Sequence, residues 1–395
     1  MGHWRARRGP VTGSLRILVD GRVMQDRYHG IGRYTHELLR ELSRAAVDLV
    51  VLCHPDSGRL GADELMTRRN VRAVPSRVPV RSLRSQWVLA RAVQVARPDV
   101  VFVPYHLSTP LLSGRVPVVS VVHDCVLERD AAARGQSAFS RAYHAATRLA
   151  IRSATALAAP SAATRDDIRR FYGVELPQEC VVPYGVGAQF FALAGQPRPR
   201  PPGLPDRYIL HVGAQRPHKN QAILVEALAM LQARHPGVGL VLVGQPDPRF
   251  PDYVGRLVAT HGLSDLVRRP AYVDDAALLD LYANASAFAY PSLVEGFGMP
   301  VLEAMAAGLA VVASDAEAVR EVAGGGALIV PARVPGAWAG ALGRVLADPR
   351  LARHLGQRGQ AVAAGCTWAC SAERTLALLT RAARSAGVTT GEGGG

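Results

Sequence analysis

The chain has 395 residues and a formal net charge of +14, from 46 lysines and arginines against 32 aspartates and glutamates, with 49% hydrophobic and 20% charged residues. That length predicts two or three domains, the hydrophobic share excludes a disordered chain, and no apolar run reaches the ~18 to 20 residues that cross a bilayer. The charge calls for an anionic partner, nucleic acid, anionic lipid or a phosphorylated small molecule; with no RNA-binding aromatic signature, zinc-finger spacing or basic zipper, nucleic acid is excluded from the reading.

Residues 1–14 are a basic arm, and the short apolar stretch after it closes at Asp20. It does not read as a secretion signal, so the cytoplasm is the expected compartment. Short apolar strands then alternate with longer amphipathic helices, the pattern of a parallel sheet covered on both faces. Predicted strands are 15–20, 48–53, 99–103, 117–123, 155–159 and 180–183; predicted helices are 33–44, 82–96, 137–152 and 162–172. Residues 195–205 hold five prolines in eleven positions, which predicts a semi-rigid linker over 195–206. After it come strand 208–212, helix 220–234, strand 239–243, helix 252–261, strand 287–290, helix 300–307 and strand 310–313. The expected organisation is therefore a first domain over 15–194 and a second over 207–370. A final helix, 371–387, is expected to pack back on the first domain, and 388–395 to form a flexible tail. Five cysteines, Cys53, Cys125, Cys180, Cys366 and Cys370, have no CxxC spacing and fit reduced thiols.

Of the 46 basic residues one is a lysine, Lys219, in His211-Val212-Gly213-Ala214-Gln215-Arg216-Pro217-His218-Lys219-Asn220. A compact ammonium on a flexible stem suits a phosphate oxygen that a guanidinium fork would crowd. Further on, Pro291 to Gly308 reads as strand, glycine-rich turn and helix. Gly296 and Gly298 let backbone amides approach a ligand, and Pro300 is tolerated in a first helical turn. Glu303 is expected in that first turn and Glu295 on the loop before it. Two carboxylates beside an anion site point to hydroxyl partners, as on a sugar and a ribose.

With these residues in view the chain resembles the retaining glycosyltransferases of family 4. The Glu295-x7-Glu303 element and the Gly213-x5-Lys219-Asn220 element carry the resemblance, supported by Gly30-Ile31-Gly32-Arg33-Tyr34, Val122-His123-Asp124 and Pro183-Tyr184-Gly185-Val186. The family implies an α/β fold of the GT-B type, two Rossmann-like doubly wound parallel-sheet domains facing across a cleft. It implies that Glu303 binds the donor ribose and Glu295 faces the donor sugar. Phe297, Gly298 and Met299 would offer amides to sugar hydroxyls and the diphosphate, and Lys219 would neutralise the leaving diphosphate. His123 would lie near the reactive carbon, and Gly30 and Gly32 would let a loop approach the phosphates. Ala214 stands where many members have arginine, so Arg216 is the candidate second cation; Tyr184 stands where asparagine is usual. Asp124 is a candidate acceptor contact.

The expected activity is transfer of a hexose from a nucleotide diphosphate sugar to an acceptor hydroxyl. Retention follows from the resemblance. No carboxylate is placed as a covalent nucleophile, so front-face departure and attack is the expected course. GDP-mannose is the first donor choice and a UDP-hexose the second. No Asp-x-Asp element appears, so no metal or other cofactor is expected. Acceptors in view are a lipid-linked glycan and a small metabolite. Alternatives are a sugar-nucleotide 2-epimerase and a non-catalytic sugar-nucleotide-binding subunit.

The arginines leave one further question. Arg84 and Arg91 share a helix face beside Leu83, Trp87 and Ala90. Either that face rests on an anionic membrane, making the protein peripheral at its inner surface, or Leu83 and Trp87 pack into the core and the arginines are merely solvated.

Overall fold

The computed structural model describes residues 14–24, 30–55, 64–111, 113–135 and 137–387. The tail predicted at 388–395 and all of the basic arm except Ser14 lie outside them. The chain divides into two units: residues 1–160, 165–182 and 368–395 form one, and residues 161–164 and 183–367 the other.

Unit 1 begins β1 (Leu15–Asp20), α1 (Gly30–Leu42), β2 (Val47–Cys53), β3 (Val71–Pro75), α2 (Arg84–Ala96) and β4 (Val100–Val103). It continues with β5 (Val118–Val121), α3 (Val126–Arg134), α4 (Ala138–Ser153), β6 (Ala156–Ala158) and α5 (Ala162–Tyr172), whose first residues, up to Thr164, belong to unit 2. Its six strands run in the order β3-β2-β1-β4-β5-β6, every pair parallel. The middle strands are near-continuous runs of valine and leucine because helices cover both faces of such a sheet. The helix Trp368–Ser385 belongs to this unit: Trp368 packs its ring 6.0 Å from Tyr34 of α1, and Leu378, Leu379, Ala382 and Ala383 are buried.

Unit 2 contains β7 (Arg207–Val212), α6 (Ala222–Leu231), β8 (Val238–Val243), α7 (Tyr253–Thr260), β9 (Val267–Arg268), α8 (Asp275–Asn284) and β10 (Ala287–Tyr290). After these come α9 (Met299–Ala306), β11 (Val311–Ser314), α10 (Glu317–Ala323), β12 (Leu328–Val330), α11 (Pro335–Ala347) and α12 (Pro349–Ala364). The order is β12-β11-β10-β7-β8-β9, again parallel throughout. Helix α6 buries Ile223, Leu224, Val225, Ala227, Leu228 and Leu231 in one core with β8 and the fully buried Trp338 of α11, and leaves Met230 exposed.

Several expectations are corrected. Residues 180–183 are not a strand: a tight turn at Gln178–Cys180 leads into a single bridge from Val181 to Ala159. The boundary falls at Val182/Pro183 instead of the proline-rich stretch, which lies within unit 2. That stretch is tied down by the Arg198–Asp280 ion pair at 2.6 Å and by Asn284 donating to the Pro199 carbonyl at 3.1 Å. The Gly30-Ile31-Gly32-Arg33-Tyr34 segment opens α1 and is not a loop, since Tyr34, Leu38 and Leu42 recur on its buried face. On α2, Leu83 and Trp87 are 89% and 72% exposed, so they do not pack in the core; Ser85, Leu89, Ala92, Val93 and Ala96 do.

Candidate functional site

In unit 2 the chain lays down β7, β8 and β9 in one direction, returns, and places β10, β11 and β12 on the other side of β7. The β7/β10 neighbourhood is therefore the point where strand order reverses, and ligands of such sheets bind beyond the carboxyl ends there. Those ends carry His211 with the 213–220 loop, and Tyr290 with the 291–298 loop.

The two loops meet at Lys219. Its ammonium lies 2.6 Å from Glu295 Oε1 and 3.4 Å from the Tyr290 hydroxyl, which itself donates to Glu295 Oε1 at 2.8 Å. Burial pushes the Glu295 carboxyl up, but Lys219 and His218 together outweigh it and hold the group below its ordinary value. Glu295 is thus an anion, and Tyr290 a neutral phenol raised well above its usual range by burial and then by Glu295. Asn220 adopts a left-handed conformation, φ 54°, and donates to the carbonyls of Pro291 and Ala332 at 3.2 and 2.7 Å. The Leu293 amide donates to the His218 carbonyl at 2.7 Å, so the loops are stitched by backbone as well as by charge.

His211 is fully buried, with Nδ1 3.0 Å from the Ala289 carbonyl. A carbonyl only accepts, so Nδ1 carries the proton and Nε2 presents a lone pair, which has no partner among the described residues. Burial first, and Lys219 as well, lower this imidazole to about 4, against the bond to Ala289. A Cβ on Gly213 would lie 3.0 Å from that Nε2, so glycine lets the loop pass close over the ring. His218 is likewise lowered to about 4, chiefly by burial.

Gly298 caps α9 with φ 107°, a left-handed conformation that disfavours any side chain. Helix α9 starts at Met299, with Pro300 in its first turn. Glu303 is consequently not in that turn, as expected, but one turn further in. It is 6% exposed, with Oε2 accepting from the Tyr282 hydroxyl at 3.0 Å. The Phe297 ring is buried against Tyr184 at 4.7 Å, which gives the tyrosine of the Pro183-Tyr184 turn a packing role. Arg216 does not join Lys219 but pairs with Asp247 at 3.0 Å, an aspartate it shares with Arg249 at 2.6 Å.

In unit 1, His123 follows β5 as expected, buried, with Nε2 hydrogen-bonded to the Pro104 carbonyl and its ring edge-on to Tyr34 at 5.1 Å. Asp124 Oδ1 accepts from the Val126 amide at 3.1 Å at the start of α3. Gly32 is buried and Gly30 exposed at the start of α1; residues 25–29 before them lie outside the described residues.

Sequence reasoning missed Tyr290 and His211, whose proximity to Lys219 depends on β10 lying beside β7. It also missed Ser161 and Thr164, whose hydroxyls both donate to the Gly296 carbonyl, at 2.6 and 3.0 Å. The available signal was a serine at a helix start, where Ser161 accepts from the Thr164 amide at 3.0 Å.

A family model described as Glycosyltransferase Family 4 matches residues 28–190, and one described as Glycosyl transferases group 1 matches residues 197–362. Over 227 residues the chain is 36% identical to MMP alpha-(1->4)-mannosyltransferase of Mycolicibacterium hassiacum, covering 56% of this chain and 53% of that one. Over 289 residues it is 32% identical to D-inositol 3-phosphate glycosyltransferase of Kineococcus radiotolerans, covering 68% and 66%. The chain thus spans from about half to just under two thirds of the length of these curated relatives. Sucrose-phosphate synthase from Thermosynechococcus elongatus shares the fold with a TM-score of 0.72 at 21% identity, over 94% of this chain and all of that one. An Anabaena protein solved with UDP and glucose does so with a TM-score of 0.69 at 20% identity, over 93% and 100%. The chain belongs to glycosyltransferase family 4 and has the GT-B fold.

Proposed function

We propose that this protein transfers a hexose from a nucleotide diphosphate sugar to an acceptor hydroxyl, with retention of anomeric configuration. The observation that carries this reading is the Lys219–Glu295–Tyr290 triangle at the β7/β10 switch point, beside the Gly298-capped start of α9. An ammonium held by an anion and a neutral phenol keeps an N–H to offer to a diphosphate oxygen. Amides of Gly298 and Met299 add the partial positive charge of the helix start.

In the proposed reaction the bond from the anomeric carbon to the diphosphate oxygen breaks. The acceptor oxygen bonds to that carbon from the same face, and its proton passes to the departing phosphate oxygen. Lys219 stabilises the charge that develops on the leaving group. Glu295 orients Lys219 and accepts from a sugar hydroxyl; held anionic, it is not a proton donor. Glu303 takes the ribose, with Tyr282 fixing its rotamer. For His123, for Gly30 and Gly32 and for Asp124 the proposed roles are those that the family resemblance implies, toward the reactive carbon, the phosphates and the acceptor.

The mannosyltransferase among the relatives supports GDP-mannose as first donor, with a UDP-hexose second. The acceptor is a lipid-linked glycan or, as the name of the inositol 3-phosphate glycosyltransferases suggests, a small phosphorylated molecule. Diphosphate charge assigned to side-chain and backbone donors implies metal-independent turnover, and a cytoplasmic site of action fits a nucleotide-sugar donor.

A panel of nucleotide sugars tests this, first by thermal shift and then by acceptor-dependent release of nucleoside diphosphate, with product anomer read by NMR. Retained product, made equally well in EDTA, is the expected result. Isomerised donor without acceptor would identify a 2-epimerase, and binding without turnover a sugar-nucleotide-binding subunit. Activity lost in EDTA and restored by Mg²⁺ would overturn the metal-independent assignment.

A further inference from the structure

One face of α2 is accounted for by the fold and the opposite face is not. Ser85, Leu89, Ala92, Val93 and Ala96 are buried. At helical spacing, Leu83, Trp87, Ala90, Arg91 and Gln94 point the other way. Trp87 is 72% exposed and Leu83 is 89% exposed, at a helix cap where its side chain makes no capping bond. Gln86 accepts from the Leu111 amide at 2.7 Å and donates to the Thr109 carbonyl at 3.2 Å. It thereby brings a third exposed apolar side chain, Leu111 at 46%, beside the helix.

Along the chain between Glu64 and Asp99, the segment that carries this patch, charge has one sign. From Leu65 to Pro98 there are eight arginines and no aspartate or glutamate. Arg77, Arg81, Arg84, Arg91 and Arg97 are exposed, and Arg81 holds its guanidinium 5.2 Å over the Tyr105 ring. A polyanion would satisfy the arginines but leave Leu83 and Trp87 in water. A second copy pairing through this face would bring its arginines against their own counterparts. An anionic bilayer answers both features, since its phosphates meet guanidinium groups while indole and leucine enter the boundary between headgroups and acyl chains.

We propose that α2 docks unit 1 on an anionic lipid surface, with Trp87 and Leu83 inserted and Arg81, Arg84 and Arg91 on lipid phosphates. The proposal stands apart from the transfer reaction, because a protein without transferase activity would still bind vesicles through this face.

Co-sedimentation of the full chain with vesicles of equal parts phosphatidylglycerol and phosphatidylcholine tests it at low salt. Binding is expected, weakening with salt and absent with phosphatidylcholine alone. Each of Arg84→Ser and Arg91→Ser should lower the partition coefficient about fivefold. Leu83→Ser with Trp87→Ser should lower it about tenfold or more without shifting Tm. In a Trp4→Phe background brominated lipid should quench tryptophan emission and lose that effect on the further change Trp87→Phe, since Trp338 and Trp368 are buried. No binding at low salt would overturn the proposal, as would binding and quenching unchanged in these variants. A dimer in solution that Trp87→Ser dissolves would show that a second copy covers the face instead.

Discussion

An ammonium has three N–H bonds, and Lys219 commits two of them, to Glu295 and to the Tyr290 hydroxyl, leaving one for a phosphate oxygen. Lys219→Ala removes the proposed leaving-group donor and should lower kcat about a hundredfold or more, the scale for one transition-state contact. Tyr290→Phe keeps the ring that stacks 5.7 Å from His211 and removes the hydrogen bonds that its hydroxyl makes to the Glu295 carboxylate and from the Lys219 ammonium, so a loss of about tenfold is expected, smaller than for Lys219→Ala. Lys219→Arg should rescue poorly, because a planar fork must fit where the Lys219 stem lies 3.8 Å from the position of a Cβ on Gly213. Equal losses in all three variants would mean that the triangle is only scaffold. The two glutamates separate by ligand. Calorimetry with free nucleoside diphosphate should show weakened binding for Glu303→Ala, since the ribose is present with or without the sugar, and near-normal binding for Glu295→Ala. Parallel losses would contradict the ribose and sugar assignments.

Helix α5 begins on a structure that the glycine-rich loop needs. Ser161 and Thr164, both buried, converge on the Gly296 carbonyl, and Glu321 of α10 accepts from the Ala162 and Ala163 amides at 2.8 and 3.1 Å, where a helix start favours a carboxylate. Removing both hydroxyls leaves a buried carbonyl without them, at a cost of about 1–3 kcal/mol. Ser161→Ala with Thr164→Val should therefore raise the KM for donor several-fold while changing kcat less, because the turn at 296–298 is loosened while the Lys219–Glu295 ion pair is kept. An unchanged KM would show that the loop is held by Phe297 on Tyr184 alone. Such tertiary bonds set the limit of what the sequence could tell. Strand β10, the glycine turn and α9 were readable because an apolar run, two glycines and a first-turn proline sit within a short stretch. Strand β3 was missed, since Arg72 and Pro75 break the apolar pattern of an edge strand with two buried residues. Helices α11 and α12 adjoin at Asp348-Pro349 with no strand between, against the alternation that organised the rest; Asp348 caps α12 through the Arg350 and Leu351 amides. Lys219 and Glu295 were legible as residue types, but their ion pair was not, because it needs β10 inserted beside β7.

For the whole molecule, acid should be the sensitive direction, and two causes compete for the credit. Burial lowers His211 to about 4 and His106 to about 3, far below an ordinary histidine at 6.5. In that window the unfolded chain binds protons that the folded one refuses, so stability rises with pH and is lost as pH falls from 6.5. Each group gives up about 2 kcal/mol by pH 5, so about 4 kcal/mol is lost from the two, a large part of an ordinary domain's stability. His218 acts in the same direction, and Glu295, held low, adds its loss below the usual carboxylate range. Glu128 opposes them: burial raises it, so the folded state takes up its proton first. The rival cause is self-repulsion, because a chain of net charge +14 with 12 histidines gains further positive charge in acid. Salt distinguishes the two, since screening weakens repulsion between exposed charges and leaves the desolvation of a buried imidazole nearly untouched. Calorimetry between pH 7 and 5 should show Tm falling with a slope that survives high salt and becomes shallower in His211→Gln. A slope that disappears in salt would assign the acid sensitivity to the arginine-rich surface and remove the buried histidines from the account.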